Sequence, residues 1–245
     1  HTFALSQNAM TFLRLRDDKS DYDLYETPPV DFIPDSDIGF YATQYDANDL
    51  ATCYANGFFP WPSPSHPVIP FYCPRKRFVL RPADLHVSHS LRRTIAKRTF
   101  TIHCDTAFCD VIVQCATTAR RHEAGTWITN DYIDAFCDLH DRGIAHSVEA
   151  YDDDGTLCGG FYGTCMGRIF GGESMFTRIS DSTKVAFVHF VQRARDFGFQ
   201  LIDCQDYTPN MKRYGATMIP RSAFLQALAT FRDDVWTAPP RITPD

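Results

Sequence analysis

The chain has 245 residues, of which 44% are hydrophobic and 22% are charged, and its formal net charge at pH 7 is −6. This composition excludes a disordered or coiled-coil protein, and no run approaches the about 20 apolar residues of a membrane span. We therefore expect a soluble globular protein with one large domain or two modest domains.

Nine cysteines are spread along the chain without a C-x-x-C pair. An odd number of scattered cysteines suits a reducing cytosol better than a disulfide framework or a zinc site. We expect most of them to be reduced thiols in the core, no bound metal, and a cytoplasmic protein.

The first 45 residues are rich in Asp and Pro and show no long period, so we expect loops and short strands there. A short helix is predicted over residues 46–57, with Asn48 as its candidate cap and Gly57 as its end. Six prolines in residues 58–74 then predict a rigid loop without a regular ladder.

Basic residues are concentrated in the next segment, although the chain as a whole is acidic. Between residues 75 and 98 the only acidic residue is Asp84. A cationic face that binds nucleic acid and an ordinary solvated surface are both consistent with this cluster. The cluster consists of Arg75, Lys76, Arg77, Arg81, Arg92, Arg93, Lys97 and Arg98.

Two helices are predicted in the middle of the chain. Apolar residues at i, i+3, i+4 and i+7 from Phe108 predict a helix with one buried stripe. A second helix is predicted from near Thr129 to Gly143, with Asp131 at the positive end of its dipole. Trp127 lies just before this second helix.

From residue 146 the period changes to that of β-strands. Three short β-rich runs over residues 146–176 are separated by turn residues and predict an antiparallel meander. A helix is predicted from Asp181 or Ser182 to Gly198, then a strand over residues 199–205 and a further helix near Thr208. This order of meander, helix and strand is that of the acetyltransferase-like α/β fold.

The stretch LIDCQ at residues 201–205 contains the first candidate catalytic groups. Side chains alternate along a strand, so Asp203 and Gln205 are expected on one face, with Cys204 on the other. An acid and an amide are costly to bury unless a loop or a ligand pairs with them. Cys204 is interpreted as packing, because no histidine is near it in sequence to activate the thiol.

A further candidate lies in FGGESMF at residues 170–176. Gly171 and Gly172 would let a ligand approach the backbone closely. Glu173 is expected near the C-terminal end of its strand, where open α/β sheets bind ligands. In isolation, an exposed acid at a strand end explains Glu173 equally well.

Nine blocks in consistent order resemble the leucyl/phenylalanyl-tRNA–protein transferases, which attach Leu or Phe from aminoacyl-tRNA to proteins beginning with Arg or Lys. Nine blocks in register, from about Leu50 to Leu228, are far more specific than any one of them. They are GFFPW (57–61), LHVSHSLRR (85–93), GTWIT (125–129), AHSVEAY (145–151), GGFYG (159–163), GGESMFTR (171–178), STKVA (182–186), LIDCQ (201–205) and GATMIPRSAFL (215–225).

The resemblance implies a small N-terminal domain (residues 1–72) and a larger acetyltransferase-like, or GNAT-like, domain (residues 73–245) with a mostly antiparallel sheet. It implies no coenzyme and no metal, and a catalytic group of Glu173, Asp203 and Gln205. The implied aminoacyl pocket is apolar and consists of Tyr54, Trp61, Trp127, Phe161, Phe170, Phe190 and Ile202. The tRNA phosphates would be held by Arg75, Lys76, Arg77, Arg92, Arg93, Lys97 and Arg98.

Three departures from the family pattern affect these expectations. FYATQYDANDL (residues 40–50) replaces the glycine pair that precedes the first helix in the family, so we expect a remodelled small domain. Asn210 stands where members commonly have His after the DCQ block. Phe161 occupies a pocket position that is often aliphatic, and its ring should shrink the cavity and shift preference away from Phe.

The implied reaction is attack of an N-terminal α-amine on the ester of Leu-, Phe- or, as a further donor, Met-tRNA, which marks the acceptor for degradation. We expect Gln205 to accept a hydrogen bond from the amine, while Asp203 fixes the amide and supplies negative charge. Positioning is expected to contribute more to the rate than base catalysis. A monomer without membrane contact is expected.

Three alternatives belong to other classes of protein. A coenzyme A-dependent N-acetyltransferase of the same fold would need glycines before the helix at residues 182–198, where TRISDSTK has none. A non-catalytic binder of N-termini or RNA would keep the acids and the basic face without needing a deep aromatic pocket. A zinc site would need four ligands at a known spacing, which HVSH (86–89) and HC (103–104) do not provide.

Overall fold

The structure is a computed structural model that describes residues 11–16, 21–62, 67–118 and 126–234. The strands of this part of the chain are β1 (Phe12–Leu15), β2 (Tyr22–Tyr25), β3 (Ile38–Ala42), β4 (Phe59–Pro60), β5 (Ile69–Tyr72), β6 (Lys76–Leu80), β7 (Thr101–Cys104), β8 (Ala145–Tyr151), β9 (Leu157–Met166), β10 (Ile169–Thr177), β11 (Leu201–Asp203) and β12 (Thr217–Pro220). The α-helices are α1 (Ala47–Ala55), α2 (His89–Ala96), α3 (Phe108–Thr117), α4 (Asn130–Asp141), α5 (Ser182–Asp196), α6 (Pro209–Arg213) and α7 (Arg221–Phe231).

The first sheet contains β1 to β5 in the order β2-β1-β3-β5-β4, with antiparallel pairing throughout. The short strands expected near the start of the chain are therefore present in its described part. The loop predicted from the prolines is wrong, because β4 and β5 lie in that stretch and pair with each other. Pro70 cannot donate to a ladder, but its carbonyl accepts from the Trp61 N–H at 3.0 Å.

The second sheet has the order β12-β6-β11-β10-β9-β8-β7. Only β10 and β11 pair in parallel, and the other neighbours pair antiparallel. The prediction of a small N-terminal part and a larger, mostly antiparallel α/β part is confirmed. The meander β8-β9-β10, the helix α5 and the strand β11 also follow one another as predicted.

Helices cover both faces of the second sheet. Successive residues of β9 show the two faces, since Phe161 packs in a core with α5 and Tyr162 packs in a core with α3 and α4. The core around Tyr162 continues into the first sheet and includes Phe40 and Phe71. The division into domains at residues 72 and 73 therefore stays a prediction: the strands change sheet there, but the core does not divide.

Local side-chain signals explain most helix starts. Asp46 accepts from the N–H groups of Asn48 and Asp49, so Asp46 rather than Asn48 caps α1. Thr129 and Thr208 cap α4 and α6 through their hydroxyls, where helix starts were predicted. No helix in the described ranges combines the length and apolarity that crossing a membrane requires.

The cysteines differ in part from the prediction. Cys109 of α3 and Cys137 of α4 form a disulfide, with their Cα atoms 6.1 Å apart. Most of the cysteines were expected to be reduced thiols; this pair is the exception, and the other seven are in no disulfide. Two cysteines 28 residues apart have no diagnostic spacing, so only the packing of α3 on α4 brings them together.

Candidate active site

The candidate site opens where two parallel strands separate. β10 and β11 pair only over Ile169–Gly171 and Leu201–Asp203, after which β11 ends and β10 continues to Thr177 beside β9. A pocket of about 400 Å³ lies at this opening. Its walls are Phe161, Tyr162, Phe170, Gly172, Glu173, Ser174, Met175, Phe187, Ile202, Asp203, Cys204, Thr208, Asn210 and Met211.

Glu173 enters the pocket from a β-bulge. Gly172 pairs with Gly163 and Ser174 pairs with Tyr162, which leaves Glu173 as the extra residue of β10. The expectation that Glu173 lies near the end of its strand is wrong, because β10 continues to Thr177. Bulges change the direction of a side chain and are common beside active sites. The residue pattern of FGGESMF does not predict this bulge.

Two donors hold the Glu173 carboxylate. Gln205 Nε2 donates to Oε1 at 2.7 Å, and Tyr132 Oη donates to Oε2 at 3.1 Å. Burial raises the pKa of Glu173 to about 7, and the negative charge of Asp203 adds to this shift. Hydrogen bonding to Tyr54, Tyr132 and Gln205 offsets part of it. Glu173 therefore changes its charge near neutral pH.

Phenols surround Glu173 on the side away from the pocket. Burial and the Glu173 charge raise the pKa values of Tyr54 and Tyr132 well above that of an ordinary tyrosine. Tyr45 packs edge-on against the Tyr132 ring, with 5.2 Å between centroids, and the same two causes raise its pKa. The phenols stay protonated, so towards Glu173 they can act only as hydrogen-bond donors.

Asp203 ends β11 in a buried ion pair that the sequence did not indicate. Arg77 of β6 binds it through two parallel contacts, Nε to Oδ1 at 2.8 Å and Nη2 to Oδ2 at 2.6 Å. Only 3% of the Arg77 surface and 4% of the Asp203 surface is exposed. The predicted contact of Arg77 with tRNA phosphate is therefore wrong, because its guanidinium is buried and bound to Asp203.

Gln205 reaches the site by a turn of the backbone rather than by strand alternation. β11 ends at Asp203, and Gln205 has a φ of 62°, a left-handed conformation that is uncommon for a residue other than glycine. Its N–H donates to Asp203 Oδ1 at 2.9 Å, which stabilises this conformation. Because Gln205 Nε2 binds Glu173, the Oε1 atom of the amide remains as an acceptor, with no donor to it among the described residues.

Cys204 and Asn210 lie in the pocket wall. Burial and the charge of Asp203 raise the pKa of the Cys204 thiol, so it stays protonated and fits the interpretation as packing. Asn210, which replaces a common histidine, has neither an acid nor a base to contribute.

The structure brings together only some of the residues predicted for the aminoacyl pocket. Phe161, Phe170 and Ile202 line it, and Phe190 lies behind them with its ring centroid 4.6 Å from that of Phe170. Phe187 was not predicted as a pocket residue, although it belongs to the apolar stripe of α5. The pocket side chains of Met175 and Met211 have no signal in the sequence.

The other three predicted residues lie outside the pocket wall. Tyr54 is buried beside Glu173 in the adjoining core. Trp127 packs edge-on against Tyr132 at 5.2 Å between centroids. Trp61 is 45% exposed and contacts Tyr72. The expectation that the tryptophans wall the aminoacyl pocket is therefore wrong.

The remaining basic residues predicted to bind tRNA are exposed. α2 carries two of them, and a second pocket of about 420 Å³ lies at its N-terminus. Asn210 lines both this pocket and the candidate site, so the two are adjacent. The exposed basic residues are Arg75, Lys76, Arg92, Arg93, Lys97 and Arg98.

Comparisons with known proteins agree with this arrangement. A family model described as leucyl/phenylalanyl-tRNA protein transferase matches residues 79–229, and a model of the N-terminal domain of that transferase matches residues 43–75. A solved structure of L-PGS from Bacillus licheniformis covers 68% of this chain and 54% of its own, at a TM-score of 0.39 and 12% identity. That likeness is too low to carry an argument.

Three curated relatives carry the name leucyl/phenylalanyl-tRNA--protein transferase. The protein of Myxococcus xanthus is 47% identical over 180 residues, which are 74% of this chain and 76% of the relative. That of Stutzerimonas stutzeri is 46% identical over 184 residues, 75% and 80% of the two chains. That of Laribacter hongkongensis is 41% identical over 205 residues, 83% and 87%. The chain therefore belongs to the leucyl/phenylalanyl-tRNA–protein transferase family.

Proposed function

We propose that this protein transfers Leu or Phe, with Met as a further donor, from aminoacyl-tRNA to the α-amine of proteins that begin with Arg or Lys. The observation that carries the proposal is the hydrogen bond from Gln205 to Glu173, a residue in the wall of a pocket that is otherwise lined largely by apolar side chains. The pocket can take up an apolar aminoacyl side chain. The Glu173–Gln205 pair offers hydrogen-bond acceptors to an amine. The site thereby holds both reactants together, and this positioning accounts for most of the expected rate increase.

The donor side chain enters between β9, β10 and α5. Phe161, Phe170, Phe187 and Ile202 surround it with apolar surface. One methylene in such a pocket changes the free energy of binding by about 1–3 kcal/mol, so Leu, Met and Phe are graded rather than sharply separated.

The acceptor amine meets the amide of Gln205. Gln205 Oε1 accepts a hydrogen bond from the amine and aims its nitrogen at the ester carbonyl carbon. The new C–N bond forms, the ester C–O bond breaks, and the amine proton ends on the leaving ribose oxygen. Glu173, whose pKa lies at about 7, orients the amide and can hold that proton in between.

Asp203 has a different part in this proposal from the one that the sequence predicted. Glu173, and not Asp203, holds the side-chain amide of Gln205. Asp203 holds the backbone N–H of Gln205, while its charge is balanced by Arg77. We therefore assign proton handling to Glu173 and positioning to Asp203.

The tRNA body is bound through its phosphates by the exposed basic residues, without reading of base sequence. Arg77 is excluded from this set by its burial. We further propose a cytoplasmic monomer whose product is directed to degradation.

A transfer assay tests the proposal directly. Leu-, Phe- and Met-tRNA are supplied with an Arg-initiated peptide, and mass spectrometry measures one added residue at its N-terminus. The same peptide with an acetylated N-terminus is the control, and acetyl coenzyme A replaces the tRNA in a parallel reaction. Acetyl transfer, or no transfer from any aminoacyl-tRNA, would contradict the proposal.

Two substitutions test the assigned residues. Gln205→Ala and Asp203→Ala are expected to lower kcat about 100-fold or more with little change in donor KM, because both remove positioning of the amine. Gln200→Ala, on an exposed residue before β11, is the control. Unchanged kcat in both site variants would exclude these residues from the mechanism.

A further inference from the structure

We propose that Arg77 is a positioning residue for the transfer, which acts through Asp203 and keeps Gln205 in its catalytic conformation. The inference rests on the proposed function of the site. It concerns a residue that the sequence placed in the tRNA-binding surface and that the structure places behind the reaction centre.

The guanidinium of Arg77 is held on every side. It lies between two aromatic rings, with Cζ 4.5 Å from the Phe59 centroid and 4.4 Å from the Phe224 centroid. Nη1 donates to the carbonyl oxygen of Gly57 at 3.1 Å, and the other edge binds Asp203. The planar fork is thus fixed in the one orientation that serves both oxygens of the carboxylate.

The ion pair transmits this rigidity to Gln205. Asp203 Oδ1 accepts from Arg77 Nε and also from the Gln205 N–H, so one oxygen joins the two residues. A left-handed Gln205 is a strained conformation that persists only when its surroundings enforce it. Without Arg77, the buried Asp203 would take up a proton or turn away, and Gln205 would lose the acceptor that fixes its backbone.

The amide of Gln205 is the last member of this chain of contacts. Its Nε2 reaches Glu173 only while the backbone holds the left-handed turn. A relaxed backbone would move the Oε1 atom away from the incoming amine. Loss of Arg77 should therefore lower turnover itself rather than only the amount of folded protein.

Arg221 offers a matched control for the structural part of this role. It is also buried, with 7% of its surface exposed. Its guanidinium donates to the carbonyl oxygens of Pro34, Ser36 and Pro74, and so ties α7 to the N-terminal part of the chain. Among its described hydrogen bonds none goes to Asp203, and Arg221 does not line the candidate pocket.

The experiment compares Arg77→Gln with Arg221→Gln. Thermal unfolding measures stability, and transfer from Leu-tRNA to an Arg-initiated peptide gives kcat per folded molecule and donor KM. Both variants should unfold at lower temperature, but only Arg77→Gln should lower kcat, by about 100-fold, the order expected when a reacting group is misplaced by 1 Å. Equal kcat in the two variants would overturn the proposal.

Two further variants keep the test decisive if Arg77→Gln folds poorly. Arg77→Lys keeps the charge but not the two-pronged contact, and should give an intermediate kcat. In an Asp203→Asn background, Arg77→Gln should cause little additional loss, since Arg77 acts through Asp203. Fully additive losses in kcat would overturn the proposal that Arg77 acts through Asp203. Absence of transfer by the unaltered protein would overturn the proposed function, and this inference with it.

Discussion

At the scale of single residues, Glu173 shows how the surroundings determine what a carboxyl group can do. Asp203, which Gln205 joins to Glu173, is paired with a guanidinium. The partners of Glu173 in the described part of the chain are neutral groups, among them the amide of Gln205 and the hydroxyl of Tyr132. Burial therefore leaves Glu173, with a pKa of about 7, able to gain and lose a proton near neutral pH.

Glu173→Gln is expected to stabilise the protein at pH 8 and to change its stability little at pH 5. Burial raises the pKa of Glu173 from 4.5 to about 7. Between these values the folded protein keeps a proton that the unfolded chain releases, so stability falls as pH rises through this window. Above about pH 7 the buried charge of Glu173 lowers the free energy of unfolding by on the order of 2 kcal/mol. This figure allows for screening by solvent in the pocket.

Thermal unfolding of both proteins at pH 5 and pH 8 measures this difference. Asp153→Asn, at an exposed acid, is the control. The same substitution at Glu173 should lower kcat, so that stability and activity move in opposite directions at pH 8. If Glu173→Gln and the unaltered protein were equally stable at both pH values, the assignment of a buried negative charge to Glu173 at pH 8 would be contradicted.

At the scale of elements, the site depends on where two strands, a helix and a turn place their side chains. The bulge in β10 turns Glu173 inward, the end of β11 places Asp203, and α4 supplies Tyr132 from the opposite side. The left-handed turn after β11 then brings Gln205 to Glu173. None of these contacts joins residues close in sequence except that between Asp203 and Gln205.

Tyr132→Phe is expected to lower the rate of transfer at pH 7. The phenol stabilises the ionised form of Glu173, so its loss raises the pKa of that carboxyl further. The acid limb of the pH–rate profile should therefore move to higher pH. Steady-state rates from pH 5.5 to 9 measure the shift, with Tyr207→Phe at an exposed tyrosine as control. A profile that moves down in pH would refute the assignment of Glu173.

Phe161→Leu is expected to increase the use of Phe-tRNA relative to Leu-tRNA. Phe161 on β9 packs against Phe170 and Phe187 in the pocket wall, and the smaller side chain leaves more room for an aromatic donor. A change of about 1–3 kcal/mol corresponds to a roughly 10- to 100-fold change in the ratio of kcat/KM values.

Competition between the two charged tRNAs measures this ratio. Phe176→Leu makes the same truncation at a buried ring on the other side of the sheet, and it should leave the ratio unchanged. A ratio equally altered in both variants would mean that general loosening of the core, rather than pocket volume, controls donor choice.

At the scale of the whole molecule, acidic and basic residues are concentrated in different segments of the chain. The net charge is −6, and residues 11–46 hold nine acidic and three basic residues. The exposed basic residues instead lie at the start of β6 and on or just after α2, the helix whose N-terminus adjoins a second pocket. A cluster of exposed cations can therefore attract a tRNA even to a protein of net negative charge.

The affinity for tRNA is expected to fall steeply as salt concentration rises. Replacing both Arg92 and Arg93 by Gln removes about two phosphate contacts, so the slope of log affinity against log salt should become shallower by roughly 2. Fluorescence anisotropy with labelled tRNA, at salt concentrations from about 50 to about 300 mM, measures this slope. Arg195→Gln, on α5, is the control. A slope unchanged by the double substitution would exclude α2 from tRNA contact.

The N-terminal part of the molecule extends beyond the match to the N-terminal family model, and remodelling of the small domain stays a prediction. The N-terminal family model begins at residue 43, whereas β1, β2 and most of β3 precede it. These strands extend the first sheet beyond β4 and β5. Residues 40–50, where the sequence predicted a departure from the family, supply the end of β3 and the Asp46 cap of α1.

The sequence by itself determined the order of elements, the family and the identity of the three polar site residues. Periodicity, capping residues and turns act over a few neighbouring residues, so they can be read along the chain. Only the tertiary structure decided the partner of Asp203, the bulge at Glu173 and the exclusion of the tryptophans from the pocket. Arg77 and Asp203 are 126 residues apart, and the contact that joins them depends on the pairing of β6 with β11, for which no local pattern exists.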